Sequence, residues 1–271
     1  MSPKNSEPQF VEIGEGHNRR KIAFRKREGR GPGLVWLGGF RSDMASTKAT
    51  AVDNYCSSSG QACLRFDYSG HGLSGGEFCE GTLSRWLEET IAIIRKLTDG
   101  PQILVGSSMG GHLAVMAADQ LRRVGAECRL AGLVLVAPAF DFPTALIRER
   151  LPPDAREAIR RDGIWMLPSL YSEAPYPITR TLIEDAATCA ILPRPIQLRR
   201  PVHIVQGQRD ADVPYEHVLA GAAKIATDPV AVTLIPDGDH RLSRPQDIRL
   251  ILDAIKAIEK LSLRVGHSVP V

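Results

Sequence analysis

Long apolar runs are missing from this chain of 271 residues. No stretch approaches the roughly 20 apolar residues that a membrane-spanning helix requires, so the sequence pattern excludes a membrane span. Cysteine is scarce: Cys56, Cys63, Cys79, Cys128 and Cys189 make an odd count and form no C-x-x-C pair. That argues against a disulfide framework and a zinc site, and for a reducing compartment. Charge of one sign is not in excess either. The 34 basic and 31 acidic side chains leave a net charge of +3, too balanced to imply a nucleic-acid partner. The first residues, MSPKNSEPQF, have neither an apolar signal core nor an arginine-rich amphipathic pattern. There is no internal repeat and no low-complexity segment. These absences lead to the expectation of a soluble, cytoplasmic protein with no metal and no cofactor. One local departure from the balance is RRKIAFRKREGR at 19–30. It reads as a polar edge hairpin, because charge guards exposed strand edges.

What is present is an alternation of strand and helix patterns. Residues 9–27 read as two short strands around the turn GEGHN. Short apolar runs that predict buried strands follow at 33–39, 61–67, 102–106, 130–139, 202–207 and 230–236. Helical periodicity lies between and after them at 46–60, 83–97, 109–123, 215–226 and 244–262. Strands alternating with helices predict an α/β fold with a mostly parallel sheet flanked by helices. Residues 140–200 interrupt the pattern. They hold eight prolines and two short helical patterns with no evident strand, and are read as an inserted helical cap on a core formed by 1–139 and 201–271.

The chemistry is concentrated where the strand 102–106 meets the helix 109–123. Gly106-Ser107-Ser108-Met109-Gly110 fits G-x-S-x-G, a sharp strand-to-helix turn that lifts a serine hydroxyl out of the sheet and needs small neighbours. Ser107 is the rival nucleophile, but Ser108 alone has glycine two residues away on both sides. A serine hydroxyl needs a base, and a histidine base needs a carboxylate to fix its tautomer. Along the chain after Ser108, QRDADVP offers Asp210 and Asp212 at one strand end, and DGDHRLS offers His240 at the next. Asp210 is preferred over Asp212 as the first carboxylate after its strand. Of the seven histidines, His17, His112, His203, His217 and His267 read as structural or solvent-facing. His71, in SGHGLSGG, lies near the same sheet edge and is a candidate to line the site, but it precedes the serine and breaks the chain order of a base. An oxyanion needs backbone donors. Met109 N–H, at a helix N-terminus, and Phe40 N–H, in GGFRSD, are the candidates. Arg41 is a candidate contact for an anionic part of a substrate. Trp165, Met166, Leu167 and Leu170 are candidates for an apolar acyl pocket.

GGF, DYSGHGLSGG, GSSMGG, GQRDADVP and DGDH, in that order, resemble the α/β-hydrolase superfamily. Within it, RFDYSGHGLSGG, TLSRW, GPQILVGSSMGG, DGIWMLPSLYSE and DHRL are similar to the mitochondrial α/β-hydrolase-domain enzymes that act as palmitoyl-protein thioesterases and mycophenolic acid acyl-glucuronide esterases. The resemblance runs from about residue 10 to 262 and matches Ser108 to the nucleophile, Asp210 to the acid and His240 to the base. It implies hydrolysis of esters or thioesters, on a small molecule or an acylated protein. The absence of a recognisable transit peptide suggests a bacterial-type relative or a processed form, so the organelle and the physiological substrate do not carry over.

Overall fold

The computed structural model describes residues 7–168, 175–226 and 229–265. Eight strands form one sheet: β1 (Gln9–Ile13), β2 (Arg20–Arg27), β3 (Arg30–Leu37), β4 (Gln61–Phe66), β5 (Gln102–Ser107), β6 (Leu130–Val136), a strand at Val202–Gly207 and a strand at Val230–Ile235. The first two are an antiparallel hairpin, and β2 pairs antiparallel with β4. From β4 through β3, β5 and β6 to the two last strands every pairing is parallel. Parallel strands buried on both faces need apolar residues on both, and these have them. In β5, Ile103 and Val105 enter one core and Leu104 the other; in β3, Leu34 and Trp36 part from Val35 and Leu37 in the same way.

Helices cover both faces. α1 (Thr47–Ser59) lies on one, joined by the C-terminal helix Pro245–Val265 through Ala49, Val52 and Cys56 against Ile251, Ala254, Ile255 and Ile258. α2 (Leu83–Leu97) and α3 (Met109–Arg123) cover the other. α2 starts where the Thr82 hydroxyl accepts from Arg85 N–H, an N-cap. It buries Leu83, Trp86, Ile93 and Ile94 completely. Burial of an aliphatic side chain of that size contributes about 1.5–3 kcal/mol. Among the described residues, no helix is long and apolar enough to cross a membrane.

Two expectations are corrected here. The β1–β2 hairpin does lie at one edge of the sheet, but β1 is the outermost strand and the basic strand β2 sits between β1 and β4. Three of its five charges are paired with carboxylates. Arg20 is buried against Glu88 and Glu89, Arg27 pairs with Asp53, and Lys26 with Glu28. The segment between β6 and the strand at Val202–Gly207 was expected to be helical without strands. It holds α4 (Pro153–Asp162) and α5 (Arg180–Thr188), but between them β7 (Ile164–Leu167) and β8 (Tyr176–Thr179) form an antiparallel ribbon. Pro177 is tolerated because a two-stranded ribbon leaves outward edges with no ladder to serve. Numbered in order, Val202–Gly207 is β9, Tyr215–Ala222 is α6, Val230–Ile235 is β10 and Pro245–Val265 is α7.

Candidate active site

Ser108 stands between β5 and α3 with φ 53° and ψ −117°. A side chain in such a conformation costs on the order of 1–3 kcal/mol, so the surroundings must hold it. Ser108 N–H donates to Val136 O at 2.9 Å, and Ser108 O accepts from Ala139 N–H at 3.1 Å. The flanking glycines leave no room for a side chain. A Cβ on Gly106 would overlap the Gly110 carbonyl, and one on Gly110 would overlap the carbonyls of Leu37 and Gly38. Ser107 ends β5 and is buried.

The two strand ends beyond β6 bring the other polar groups to this turn. Gln208 N–H donates to Ile235 O at 2.9 Å and Arg209 N–H to Gly238 O at 2.9 Å, which ties the loop after β9 to the loop after β10. His240 Nε2 then lies 3.1 Å from Ser108 Oγ, and His240 Nδ1 lies 2.8 Å from Asp210 Oδ2. The Asp210 side chain is fully buried. Its Oδ1 accepts from Asp212 N–H at 3.0 Å and Val213 N–H at 2.8 Å, and its Oδ2 accepts from Gln206 Nε2 at 3.1 Å. Both oxygens are therefore held while Oδ2 faces the imidazole. Asp212 lines the cavity instead. Asp210, Asp212 and His240 also bring potential ligand atoms within 4.8 Å of one another. A cation there would have to take His240 Nδ1 from Asp210 or Nε2 from Ser108.

The loop after β3 lies against the same turn: a Cβ on Gly39 would sit 3.4 Å from the Ser108 Cβ. Among the described residues, no acceptor faces the N–H of Phe40 or of Met109. Met109 N–H opens α3, where the helix N-terminus favours an anion. Arg41, next in the loop, has φ 58° and is exposed. Its guanidinium lies 5.0 Å from the Phe78 ring centre and 5.7 Å from that of Tyr176.

Ser108 and His240 open into a cavity of about 420 Å³, a size that suits a small-molecule ligand. Phe40, Trp165 and Leu167 line it, while Arg41 and Met166 do not. Met166 is 45% exposed, because neighbouring residues of a strand point to opposite sides and Trp165 and Leu167 face inward. Leu170 lies outside the described residues. Sequence reasoning missed Phe142, Leu146, Ile147, Leu151 and Tyr176 in the lining. They come from irregular turns and the ribbon of the insertion, where no periodicity marks an inward face. Arg150 and Asp212 are charged members of an otherwise mainly apolar wall.

His71 lies behind the loop rather than in the cavity. It is buried among Tyr68, Phe78 and Trp86, and loss of solvent pulls its pKa down to about 4, with the Arg41 charge acting in the same direction. His112 is also fully buried, on α3, and desolvation lowers it to about 4 against the pull of the Asp141 carboxylate. His203 in β9 is only partly buried and bonds to Thr233 Oγ1; His217 bonds to Phe140 O.

Residues 31–249 match the alpha/beta hydrolase family. The mitochondrial palmitoyl-protein thioesterase ABHD10 of Homo sapiens is 36% identical over 247 residues, which are 90% of this chain and 79% of that protein. The crystal structure of a protein from Agrobacterium vitis S4 superposes with a TM-score of 0.90 at 42% identity, covering 93% of this chain and 98% of that one. Mouse alpha/beta hydrolase domain-containing protein 10 gives a TM-score of 0.82 at 34% identity, covering 93% and 99%. The expectation of a purely cytoplasmic location is corrected by this comparison, since the mammalian relatives are mitochondrial proteins by name. The likeness spans the parallel sheet, its two helical layers and both loops that meet at Ser108, and by it the chain belongs to the alpha/beta hydrolase family, with the fold of that family.

Proposed function

We propose that the protein is a serine hydrolase of carboxylic esters and thioesters, with Ser108 as nucleophile, His240 as general base and acid, and Asp210 as the group that orients His240. The observation that carries this reading is the unbroken hydrogen-bonded line from Asp210 Oδ2 through the imidazole to Ser108 Oγ, at 2.8 and 3.1 Å, at the mouth of a mainly apolar cavity. Asp210 accepts a hydrogen bond from Nδ1–H, which keeps the proton on Nδ1 and leaves Nε2 as the basic nitrogen toward the hydroxyl.

As Ser108 Oγ attacks the acyl carbon, its proton passes to His240 Nε2 and the carbonyl electron pair moves onto oxygen. The Phe40 and Met109 N–H groups donate to that oxygen. When the carbonyl re-forms, the bond to the leaving oxygen or sulfur breaks, and the alcohol or thiol departs with the proton from His240. Water then gives a proton to Nε2 as its oxygen attacks the acyl carbon. The second tetrahedral intermediate expels Ser108 Oγ, which recovers the proton, and the carboxylic acid leaves. The imidazolium that forms twice in this cycle is stabilised each time by the buried Asp210 carboxylate.

The apolar wall built from Trp165, Leu167, Leu146, Ile147 and Leu151 favours the acyl side of a substrate with a long hydrocarbon chain. The ABHD10 relatives are palmitoyl-protein thioesterases by name, which supports an S-acylated cysteine as the substrate and its thiol as the leaving group. The test is turnover by the wild type and Ser108→Ala on p-nitrophenyl esters from acetyl to palmitoyl, a palmitoyl-cysteine peptide and an acyl glucuronide. The expected result is turnover that Ser108→Ala abolishes, rising toward the long-chain members. Turnover that survives the substitution refutes the serine mechanism.

A further inference from the structure

Phe40 N–H can serve as an oxyanion donor only while its loop is held in place. The Phe40 ring is packed, but the backbone of Gly38 to Ser42 has few hydrogen bonds of its own. Ser42 N–H donates to Gly39 O at 3.1 Å, closing a tight turn, and Arg41 sits inside that turn in the left-handed region at φ 58°. A non-glycine residue does not stay in that region without support from outside the turn. The support comes from another loop: Arg41 N–H donates to His71 Nε2 at 3.2 Å, and His71 Nδ1 lies 3.2 Å from Ser69 O.

Those two contacts decide the state of the ring. A backbone N–H only donates, so Nε2 must be a bare acceptor. A carbonyl only accepts, so Nδ1 must carry the proton. The neutral Nδ1–H tautomer alone satisfies both. Burial agrees, since the charged form would have to be desolvated. The ring is clamped by Phe78, Trp86 and Tyr68 at centroid distances of 5.0, 5.2 and 5.7 Å. Phe78 also packs on Phe40 at 4.9 Å. The histidine and the residue that would donate to the oxyanion are therefore braced against one aromatic cluster.

We infer that His71 is a positioning residue for the reaction: by accepting from Arg41 N–H it holds the Gly39–Ser42 turn in the strained form that presents Phe40 N–H beside Ser108. The inference rests on the serine-hydrolase reading. His71 touches no reacting atom and does not shuttle protons. It sets where one backbone donor stands.

Three variants separate this role from ordinary packing. His71→Gln retains an acceptor at the reach of Nε2. His71→Asn keeps a donor toward Ser69 O but is too short to reach Arg41 N–H. His71→Leu removes both. Losing an oxyanion donor outright costs about 10²–10³ in kcat, and misplacing one costs part of that. The expected loss in kcat is roughly 10- to 100-fold for the Asn and Leu variants, with KM changed less than about threefold and most of the rate restored in the Gln variant. Affinity for an alkyl boronic acid, which becomes a tetrahedral anion on the serine, should fall by the same factor as kcat. Affinity for the product acid, which makes no such anion, should not.

If the Leu variant does not fold, the Gln and Asn pair decides. Equal kcat in these two, or parallel losses in boronate and product affinity, overturns the inference while Ser108 dependence leaves the hydrolytic reading standing. Turnover surviving in Ser108→Ala overturns both together.

Discussion

Asp210→Asn isolates the contribution of one proton position. The change keeps the size of the side chain, and the structure dictates how the amide must sit. The Asp212 and Val213 N–H groups at 3.0 and 2.8 Å require an oxygen at the Oδ1 position. The amide NH2 is thereby driven to the other position, facing His240 Nδ1 and Gln206 Nε2. Gln206 cannot readily invert to receive it, because its Nε2 also donates to Gly207 O and Val213 O at 3.0 Å each. His240 must then accept at Nδ1, so its proton moves to Nε2. That nitrogen faces Ser108 Oγ at 3.1 Å and can no longer take the hydroxyl proton. Loss of the correct tautomer with geometry intact costs on the order of 10⁴ in kcat, equivalent to about 5.4 kcal/mol in the barrier. The assay is steady-state turnover of a p-nitrophenyl ester, with Asp212→Asn as the paired control. Asp212 contributes its backbone N–H, which the substitution keeps, so its kcat should stay within about threefold of wild type. A loss below tenfold for Asp210→Asn, or equal losses at 210 and 212, would refute the tautomer argument.

Two further outcomes are expected from the same structure. Trp165→Ala removes apolar wall from the cavity, so KM for a palmitoyl ester should rise about tenfold, roughly 1.4 kcal/mol of lost contact, with little change for an acetyl ester. Met166→Ala, on the outward side of the same strand, should leave the chain-length profile unchanged, and a matching shift in both variants would remove the acyl-wall assignment. His112 is buried with its pKa lowered from 6.5 to about 4, first by desolvation. Between those values the unfolded chain binds a proton that the folded one does not, so this group makes stability rise with pH across the window and fall on acidification. His112→Asn keeps an acceptor for Asp141 N–H, which His112 Nδ1 now accepts at 3.2 Å, but does not titrate. Its melting temperature should therefore drop less than that of wild type between pH 6.5 and 4, and parallel curves would contradict the assignment.

The sheet was legible in the sequence because buried parallel strands leave short apolar runs that end in glycine, as at LVWLGG and ILVGS. Strand order was not. Nothing in RKIAFRKR shows that β4 pairs with it, and its charges suggested an exposed edge strand, whereas Arg20 and Arg27 are matched by Glu88, Glu89 and Asp53, which lie far along the chain. The ribbon of β7 and β8 was hidden by Pro168, Pro175 and Pro177 beside and within it, since proline normally argues against strands. That ribbon also explains why IWML does not act as one apolar block: strand alternation splits Met166 from Trp165 and Leu167. Ser108, Asp210 and His240 were legible because each lies just past a strand end with its own local signature, and a parallel sheet gathers such ends at one edge. His71 was not assigned a role. Its partner is the backbone N–H of Arg41, and a hydrogen bond to main chain leaves no mark in side-chain identity.

The central claim is that Ser108 carries the acyl group between the two half-reactions. The most direct measurement is intact-protein and peptide mass spectrometry after treatment with an alkyl fluorophosphonate, comparing wild type with Ser108→Ala. One adduct per chain is expected, on the peptide that holds Ser108, blocked by prior incubation with a long-chain ester and absent from the variant. An unlabelled wild type that nevertheless turns over esters, or an adduct on Ser107 or elsewhere, would contradict it.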